Sequence, residues 1–284
     1  MKVSFCTFIA SGFYASILFV VGCKGKPSEE PALLENVPIV NQDQNTEKSD
    51  GNTYRMIIKS NPDIIEAGKQ VVFSLTPQNA NKPTEPVPLD NSHSYEIHLT
   101  LVSNDLSWFD QRHPGLADLG SYEQTYTFKK GGVYTLFADY KPMGSKDTVQ
   151  FKNIGVNGSS LKSVNYTEPK LTSTTGPFQV TLSPYEDDHF ESLKWQSIKA
   201  TITKDSSVIV SNTLGDYLGG KGHMVLIGIK NKDFQHVYSS PDNADLVFQV
   251  FFANPGLYRA WLQFQVENII QTADFVIQVE QQNN

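Results

Sequence analysis

The sequence predicts an all-β protein made of two tandem β-sandwich domains. Three observations carry this expectation. Apolar and polar residues alternate in short runs, the breaks between runs are rich in Gly, Pro, Asn and Asp with little helical periodicity, and one pattern of aromatic and glycine positions occurs twice. The clearest run is 95–101, where Tyr95, Ile97, Leu99 and Leu101 alternate with Glu96, His98 and Thr100, the period of a half-buried strand. Similar runs predict strands over 70–76, 124–128, 133–140, 179–183, 223–229, 246–252, 257–266 and 273–279.

The repetition is read from residue spacing. His98 and Phe109 stand 11 residues apart, as do His223 and Phe234, so the pair recurs at an offset of 125. Gly132-Val133-Tyr134 then answers Gly256-Leu257-Tyr258, Phe137 answers Trp261, Tyr140 answers Phe264 and Phe151 answers Phe275. Earlier in each copy, the segment Phe73 to Pro77 lines up with Val180 to Pro184. Agreement over so many positions points to duplication. The expected domains are 53–157 and 165–284, divided by a Gly/Ser/Asn-rich stretch. This alignment leaves about 18 extra residues in the second copy, an insertion near 185–215 that includes Tyr185-Glu186-Asp187-Asp188-His189. In each copy the Gly-x-Tyr signature suits a turn followed by a tyrosine that bonds back to a loop, as in the tyrosine corner of Ig-like sandwiches, and so has a structural role. Trp261 is expected in a core, whereas Trp108, beside a turn, could instead be an exposed sugar or protein contact.

Before the first predicted strand the texture differs. Residues 1–22 carry one cation, Lys2, followed by an unbroken apolar and small stretch, the plan of an export signal. Val20-Val21-Gly22-Cys23 resembles the lipobox of bacterial lipoproteins, which implies cleavage before Cys23 and acylation of that residue. The stretch is also long enough for a permanent membrane anchor, the alternative to a cleaved signal. Residues 24–52 have no aromatic side chain and are rich in Glu, Asn, Gln, Lys and Ser, with Pro27, Pro31 and Pro38. Such a chain cannot bury enough apolar surface to offset its entropy, and it predicts a disordered tether. Lys24 follows the cysteine where inner-membrane retention signals of enteric bacteria carry Asp, so the outer membrane is the expected address, with the domains periplasmic or surface-exposed.

Composition excludes several function classes. Of two cysteines, Cys6 lies inside the signal and Cys23 is lipidated, so no disulfide, Cys-based metal site or Cys nucleophile is expected in the mature chain. The formal charge is −7, without a Lys/Arg cluster, which argues against nucleic acid as a partner. Membrane attachment should come from the lipid on Cys23 and not from charge. None of the motifs that announce a hydrolase nucleophile, a zinc protease or a phosphate-cradling loop occurs. An enzyme would need the carboxylates and His189 of the 185–189 segment to converge in a pocket.

Histidine is scarce, with six residues: His93, His98, His113, His189, His223 and His236. Copy one has His98 on a predicted strand and His113-Pro114 after the following turn. Copy two has Leu218-Gly219-Gly220-Lys221-Gly222-His223 and then Asp233-Phe234-Gln235-His236-Val237-Tyr238. These segments resemble a family of bacterial envelope proteins with a Leu-Gly-x-x-Gly-His strand, then Asp, then Phe-x-His-x-His-Pro, and later Gly-x-Tyr-x-Leu-Phe. Its members are largely uncharacterised β-sandwich modules, some of them found in the context of copper or heavy-metal handling. Carried across, the strand histidine is His98 and His223. The two turn positions fall at Gln111 and His113 in copy one, and at His236 and Tyr238 in copy two. Each copy keeps half of the His-x-His pair, which weakens a site confined to one copy.

The sequence therefore leads to a lipid-anchored envelope protein that acts by binding and not by catalysis. Its partner would be an envelope protein of unknown identity. The alternative is a copper or zinc protein using His98 with His113, or His223 with His236, since neutral imidazoles suit both metals. No other cofactor is expected.

Overall fold

The computed structural model describes residues 53–240 and 245–282. The export signal, Cys23 and the predicted tether lie outside the described residues. The first half contains β1 (Tyr54–Asn61), β2 (Ile65–Glu66), β3 (Gln70–Asn79), β4 (Ile97–Ser103), β5 (Phe109–Arg112), β6 (Gly115–Leu116), β7 (Tyr122–Thr127), β8 (Gly132–Tyr140) and β9 (Thr148–Asn157). The second contains β10 (Thr172–Thr175), β11 (Phe178–Pro184), β12 (Phe190–Glu191), β13 (Trp195–Lys204), β14 (Ser207–Ile209), β15 (Gly222–Gly228), β16 (Phe234–Tyr238), β17 (Leu246–Phe251), β18 (Gly256–Val266) and β19 (Ile269–Glu280). Among the described residues no helix is long and apolar enough to cross a membrane.

Alternation decides how these strands layer. In β3, Val71, Phe73 and Leu75 are buried while their neighbours are not, and β13 repeats this with Gln196, Ile198, Ala200 and Ile202. One-sided strands need a second sheet to cover the apolar face, and the result is a sandwich. In the first half the sheet β1-β3-β7-β6 faces the sheet β2-β9-β8-β4-β5. Between them lies a core that includes Phe73, Leu75, Ile97, Leu99, Tyr134 and Leu136. In the second half β10-β11-β13 carries both β14 and β17 along the far edge of β13, and it faces β12-β19-β18-β15-β16. Phe248, Phe252, Phe264, Phe275 and Leu262 fill that core. The match in strand order extends to a short parallel pairing, β2 with β9 and β12 with β19.

The ladders correct part of the sequence alignment. Phe73 lies in β3, which pairs with β1 and β7, whereas Val180 lies in β11, which pairs with β10 and β13. The counterpart of β3 is β13, so Phe73 answers Ile198 at the same offset of 125 that relates His98 to His223. Once β13 is placed, the link from β3 to β4 and the link from β13 to β15 have equal length, and the insertion expected near 185–215 disappears. Those residues form β12, β13 and β14 instead. Phe151 is likewise out of step with Phe275: it stands opposite Phe137, whereas Phe275 stands opposite Ala260. The cause is general, because a period-two pattern fits any other strand of the same period, and a shared Leu-x-Pro ending favoured the wrong one.

The Gly-x-Tyr sites take their expected structural role. Gly132 and Gly256 adopt φ of 136° and 132°, a region that side chains resist. The hydroxyl of Tyr134 donates to the Lys130 carbonyl at 2.9 Å, and that of Tyr258 to the Asn254 carbonyl at 2.9 Å. Replacing either tyrosine by Phe should destabilise the protein by about 1 kcal/mol in urea unfolding, since only the hydroxyl's bond is lost. Trp108 is not a free surface ring; it packs against Tyr126, Phe128 and Tyr134 at the edge of the first core.

The described sandwiches belong to one compact unit, joined through the outer faces of β4-β5-β8 and β15-β16-β18. Val102, Leu106 and Phe137 meet Val225, Ile227 and Trp261 in a third core. Phe109 stacks on Trp261 with ring centroids 4.8 Å apart, and Phe234 stacks on Phe137 at 4.7 Å. Phe109 answers Phe234 and Phe137 answers Trp261, so the two stacks are one contact repeated about an approximate twofold axis. The duplicated units thus pack like the subunits of an isologous dimer. This contact also corrects the placing of His98. It does face away from Ile97, Leu99 and Leu101, but the second sandwich covers that face, and His98 is buried.

Candidate functional site

The apolar interface gives way to polar side chains at one end. On β4 the outward residues are His98, Thr100 and Val102; across the ladder, Asp139 of β8 stands opposite His98. On β15 the matching residues are His223, Val225 and Ile227, with Gln263 of β18 and Tyr238 of β16 opposite His223. Residues two apart on a strand share a face, so His236 and Tyr238 project from β16 onto the same side as Phe234. His113 follows β5 directly and joins them.

All four histidines singled out in the sequence meet here. The ring centroids of His98 and His113, of His98 and His236, and of His223 and His236 are each 5.0 Å apart. Nε2 of His236 lies 3.0 Å from Nδ1 of His223, and Nδ1 of His236 lies 3.0 Å from a carboxylate oxygen of Asp139. If the His236 Nδ1–H donates to that carboxylate, its Nε2 is left as the acceptor for the Nδ1–H of His223. His98 donates from Nε2 to the Ser92 carbonyl at 2.9 Å. The Tyr238 hydroxyl sits 3.4 Å from His98 Nε2 and 3.2 Å from His236 Nδ1. Nδ1 of His98, Nε2 of His113 and Nε2 of His223 are buried without a hydrogen-bond partner, as are the side-chain oxygens of Gln111 and Gln263.

The approximate twofold explains how incomplete copies make one cluster. Gln111 occupies the position that His236 fills in the other copy, and their side chains meet at 3.5 Å. His113 likewise corresponds to Tyr238. The first copy supplies His98 of β4 and His113 just after β5, the second His223 of β15 and His236 of β16, and the halves of the His-x-His pair complement each other across the interface.

Burial holds these imidazoles neutral. It pushes His223 and His236 well below the usual histidine range, helped by the neighbouring histidines, and it lowers His98. His113 is pushed down to about 3, first by burial and then by His98, His236 and Arg112. Asp139 moves the other way, up to about 6, because burial outweighs the attraction of His98 and His93. Near neutral pH the cluster therefore combines uncharged ring nitrogens with a carboxylate at its edge. Such a set suits copper or zinc. Two ligands on one tetrahedral zinc at about 2.0–2.1 Å would lie about 3.3 Å apart, close to the 3.0 Å between His223 and His236. Among the described residues no group of three His, Cys, Asp or Glu side chains already surrounds a common point as a metal site would.

Several contributors escaped the sequence. Asp139 is one strand away from His98 and visible only through the ladder, and Tyr238 looked like a lost histidine. His93 stacks on Tyr238 with ring centroids 3.4 Å apart. His189 stands elsewhere, exposed and bonded to Glu191 at 3.2 Å. Asp187 is held by Lys194 and Gln196, so the acidic segment 185–189 is tied into a surface network.

Residues 173–281 match the model of a family described as a domain of unknown function, DUF8832. No curated protein matches the chain. Among solved structures, the fibronectin(III)-like modules of Clostridium thermocellum CbhA are similar at 14% identity and a TM-score of 0.22, with 76% of this chain and 88% of that one covered. A β-sandwich carbohydrate-binding module matches at 10% identity and a TM-score of 0.24, covering 82% of this chain and 94% of that one. Escherichia coli alpha-2-macroglobulin activated by porcine elastase matches at 10% identity and a TM-score of 0.29, over 80% of this chain and only 20% of that one. At these scores none of the three bears on what the chain binds.

Proposed function

We propose that this protein is a lipid-anchored envelope protein that binds, without catalysis, one copper or zinc ion between its two sandwiches. The lipid on Cys23 would hold it to a membrane, the outer one by the nature of Lys24. The observation that carries the metal reading is the convergence of His98, His113, His223 and His236 with three buried, unpartnered ring nitrogens. A buried polar atom left unpaired costs about 1–3 kcal/mol. An interface built only for adhesion would be more stable with apolar side chains there. Asp139 orients His236 in the manner of the carboxylate partners that stand behind metal-bound histidines. Entry of the ion would break the bond between His223 and His236, with the proton moving to the other His223 nitrogen or to solvent.

Calorimetric titration of the mature chain with Cu²⁺ and Zn²⁺ tests this. One ion per chain is expected. The pair change His98→Ala/His113→Ala should weaken binding as severely as His223→Ala/His236→Ala, by at least the roughly 10–100-fold that loss of an outer partner costs. If a variant lacking all four histidines binds as the wild type does, the reading fails.

One observation favours a second reading, recognition of another envelope protein. Trp195 is 73% exposed beside Phe251 on the outer sheet of the second sandwich. A photoreactive side chain at position 195 in living cells should then give a discrete adduct, and its absence would end this reading.

A further inference from the structure

Alternate residues of β13 and β17 turn outward from the second sandwich, and at one end of this face the outward side chains are aromatic. Trp195 stands opposite Phe251, with ring centroids 5.5 Å apart. Tyr185, just past β11, donates its backbone N–H to the Ser197 carbonyl at 2.9 Å, which brings a third ring beside these two. Leu193, 55% exposed, borders them. An exposed tryptophan among apolar neighbours has the composition of a binding hot spot.

The rim of this patch is acidic. The loop after Tyr185 carries Glu186, Asp187 and Asp188, all exposed, and Glu191 and Glu280 join it through His189. One ammonium, that of Lys194, offsets the five carboxylates, lying 3.2 Å from Asp187 and 2.6 Å from Glu191. Glu186 and Asp188 have no ion-pair or hydrogen-bond partner among the described residues. Lys199 adds no free positive charge, because Asp245 holds its ammonium at 2.8 Å.

This charge selects the occupant. A second copy of the chain meeting the patch isologously would set one acidic rim against another. Anionic lipid headgroups and nucleic acid are repelled in the same way. A cationic segment is favoured on both counts: its Lys and Arg side chains meet the carboxylates, and one of them lying over the Trp195 ring adds a cation–π contact. We propose that the patch around Trp195 docks a Lys/Arg-rich segment of another envelope protein. The inference rests on the recognition reading above and adds the chemistry of the partner. The rings supply the contact area that holds the complex. The carboxylates steer the approach, since exposed charges contribute more to encounter rate and selectivity than to affinity.

The test is cross-linking of the full chain in isolated envelopes, with a photoreactive aromatic side chain at position 195. Mass spectrometry should map the adduct to a partner segment of net positive charge. Combining Glu186→Lys with Asp188→Lys should lower its yield at least about fivefold. Raising the salt from about 0.01 M to about 1 M, which shortens the screening length from about 30 Å to 3 Å, should lower it by a similar factor. Glu186→Gln/Asp188→Asn, which removes charge without reversing it, guards against a folding defect in the lysine variant and should give an intermediate loss. An adduct on neutral or acidic protein sequence, or one whose yield withstands either treatment, overturns the cationic partner and leaves protein recognition standing. No adduct, or one that carries sugar or lipid and no peptide, overturns both.

Discussion

Metal-free protein should lose stability steeply as the pH falls from 6 to 4.5, by about 4 kcal/mol. His113, His223 and His236 are neutral in the folded state because burial holds them far below the ordinary histidine value. In the unfolded chain they take up protons near pH 6.5. Below that pH the unfolded state binds more protons than the folded one, so acid favours unfolding until the folded-state values are reached, about 3 for His113. Asp139 works in the opposite sense. Its folded-state value of about 6 means that the folded protein binds one proton more than the unfolded chain between about pH 6 and 4. Three protons against one, before the smaller share of His98, which burial also lowers, leave a net uptake of at least about two on unfolding, at about 1.4 kcal/mol per proton and pH unit. Urea midpoints across this range should fall accordingly, and the triple change His113→Gln/His223→Gln/His236→Gln should flatten the profile. Equal slopes in both proteins would show that the cluster is not what acid attacks.

Arg259→Ala should cost about 2–3 kcal/mol, the range for losing buried hydrogen bonds from a charged donor, since Asp274 is half exposed and keeps Lys170 as a partner. The Arg259 side chain is 4% exposed. It donates to the Leu106 carbonyl of the first sandwich at 3.0 Å, to the Phe275 carbonyl at 2.7 Å and to Asp274 at 3.0 Å. Its guanidinium also lies against Tyr166 and Trp261, with distances to the ring centroids of 4.6 and 5.0 Å. Tyr166, on the link between the sandwiches, donates in turn to the Leu106 carbonyl. The planar fork thus fastens linker, first sandwich and second sandwich at one point. Arg259→Lys should rescue little, because an ammonium cannot make these divergent bonds and stack at once. Hydrogen exchange should reveal faster opening of β4 and β15 in both variants. A shift confined to β18 and β19 would mean that the arginine serves only its own sandwich.

Local pattern made much of this architecture legible. Alternation over Tyr95 to Leu101 locates β4, which begins at Ile97, and β8 and β18 are recognisable from Gly-x-Tyr, because few other arrangements tolerate that backbone and place that hydroxyl. The pairing of His98 with His223 came from spacing alone. Where alternation is the only guide it misleads: β13 reads as part of an insertion, since its period is that of every other strand. The polar face that carries His98 is an interface and not a surface, because periodicity reports that two faces differ and not what covers each.

By itself the sequence determined which residues could form strands, that the unit occurs twice, and that histidines recur at matched positions. These properties are encoded by local backbone preference and by side-chain period. The tertiary structure decided that the two units pack through their histidine-bearing faces, so that His113 of one copy and His236 of the other complete a single cluster beside Asp139. That outcome depends on the burial of Phe137, Trp261 and their partners across an approximate twofold axis, a contact between residues more than a hundred positions apart. Such a contact arises from the shape and apolar area of whole surfaces, and no stretch of neighbouring residues records it.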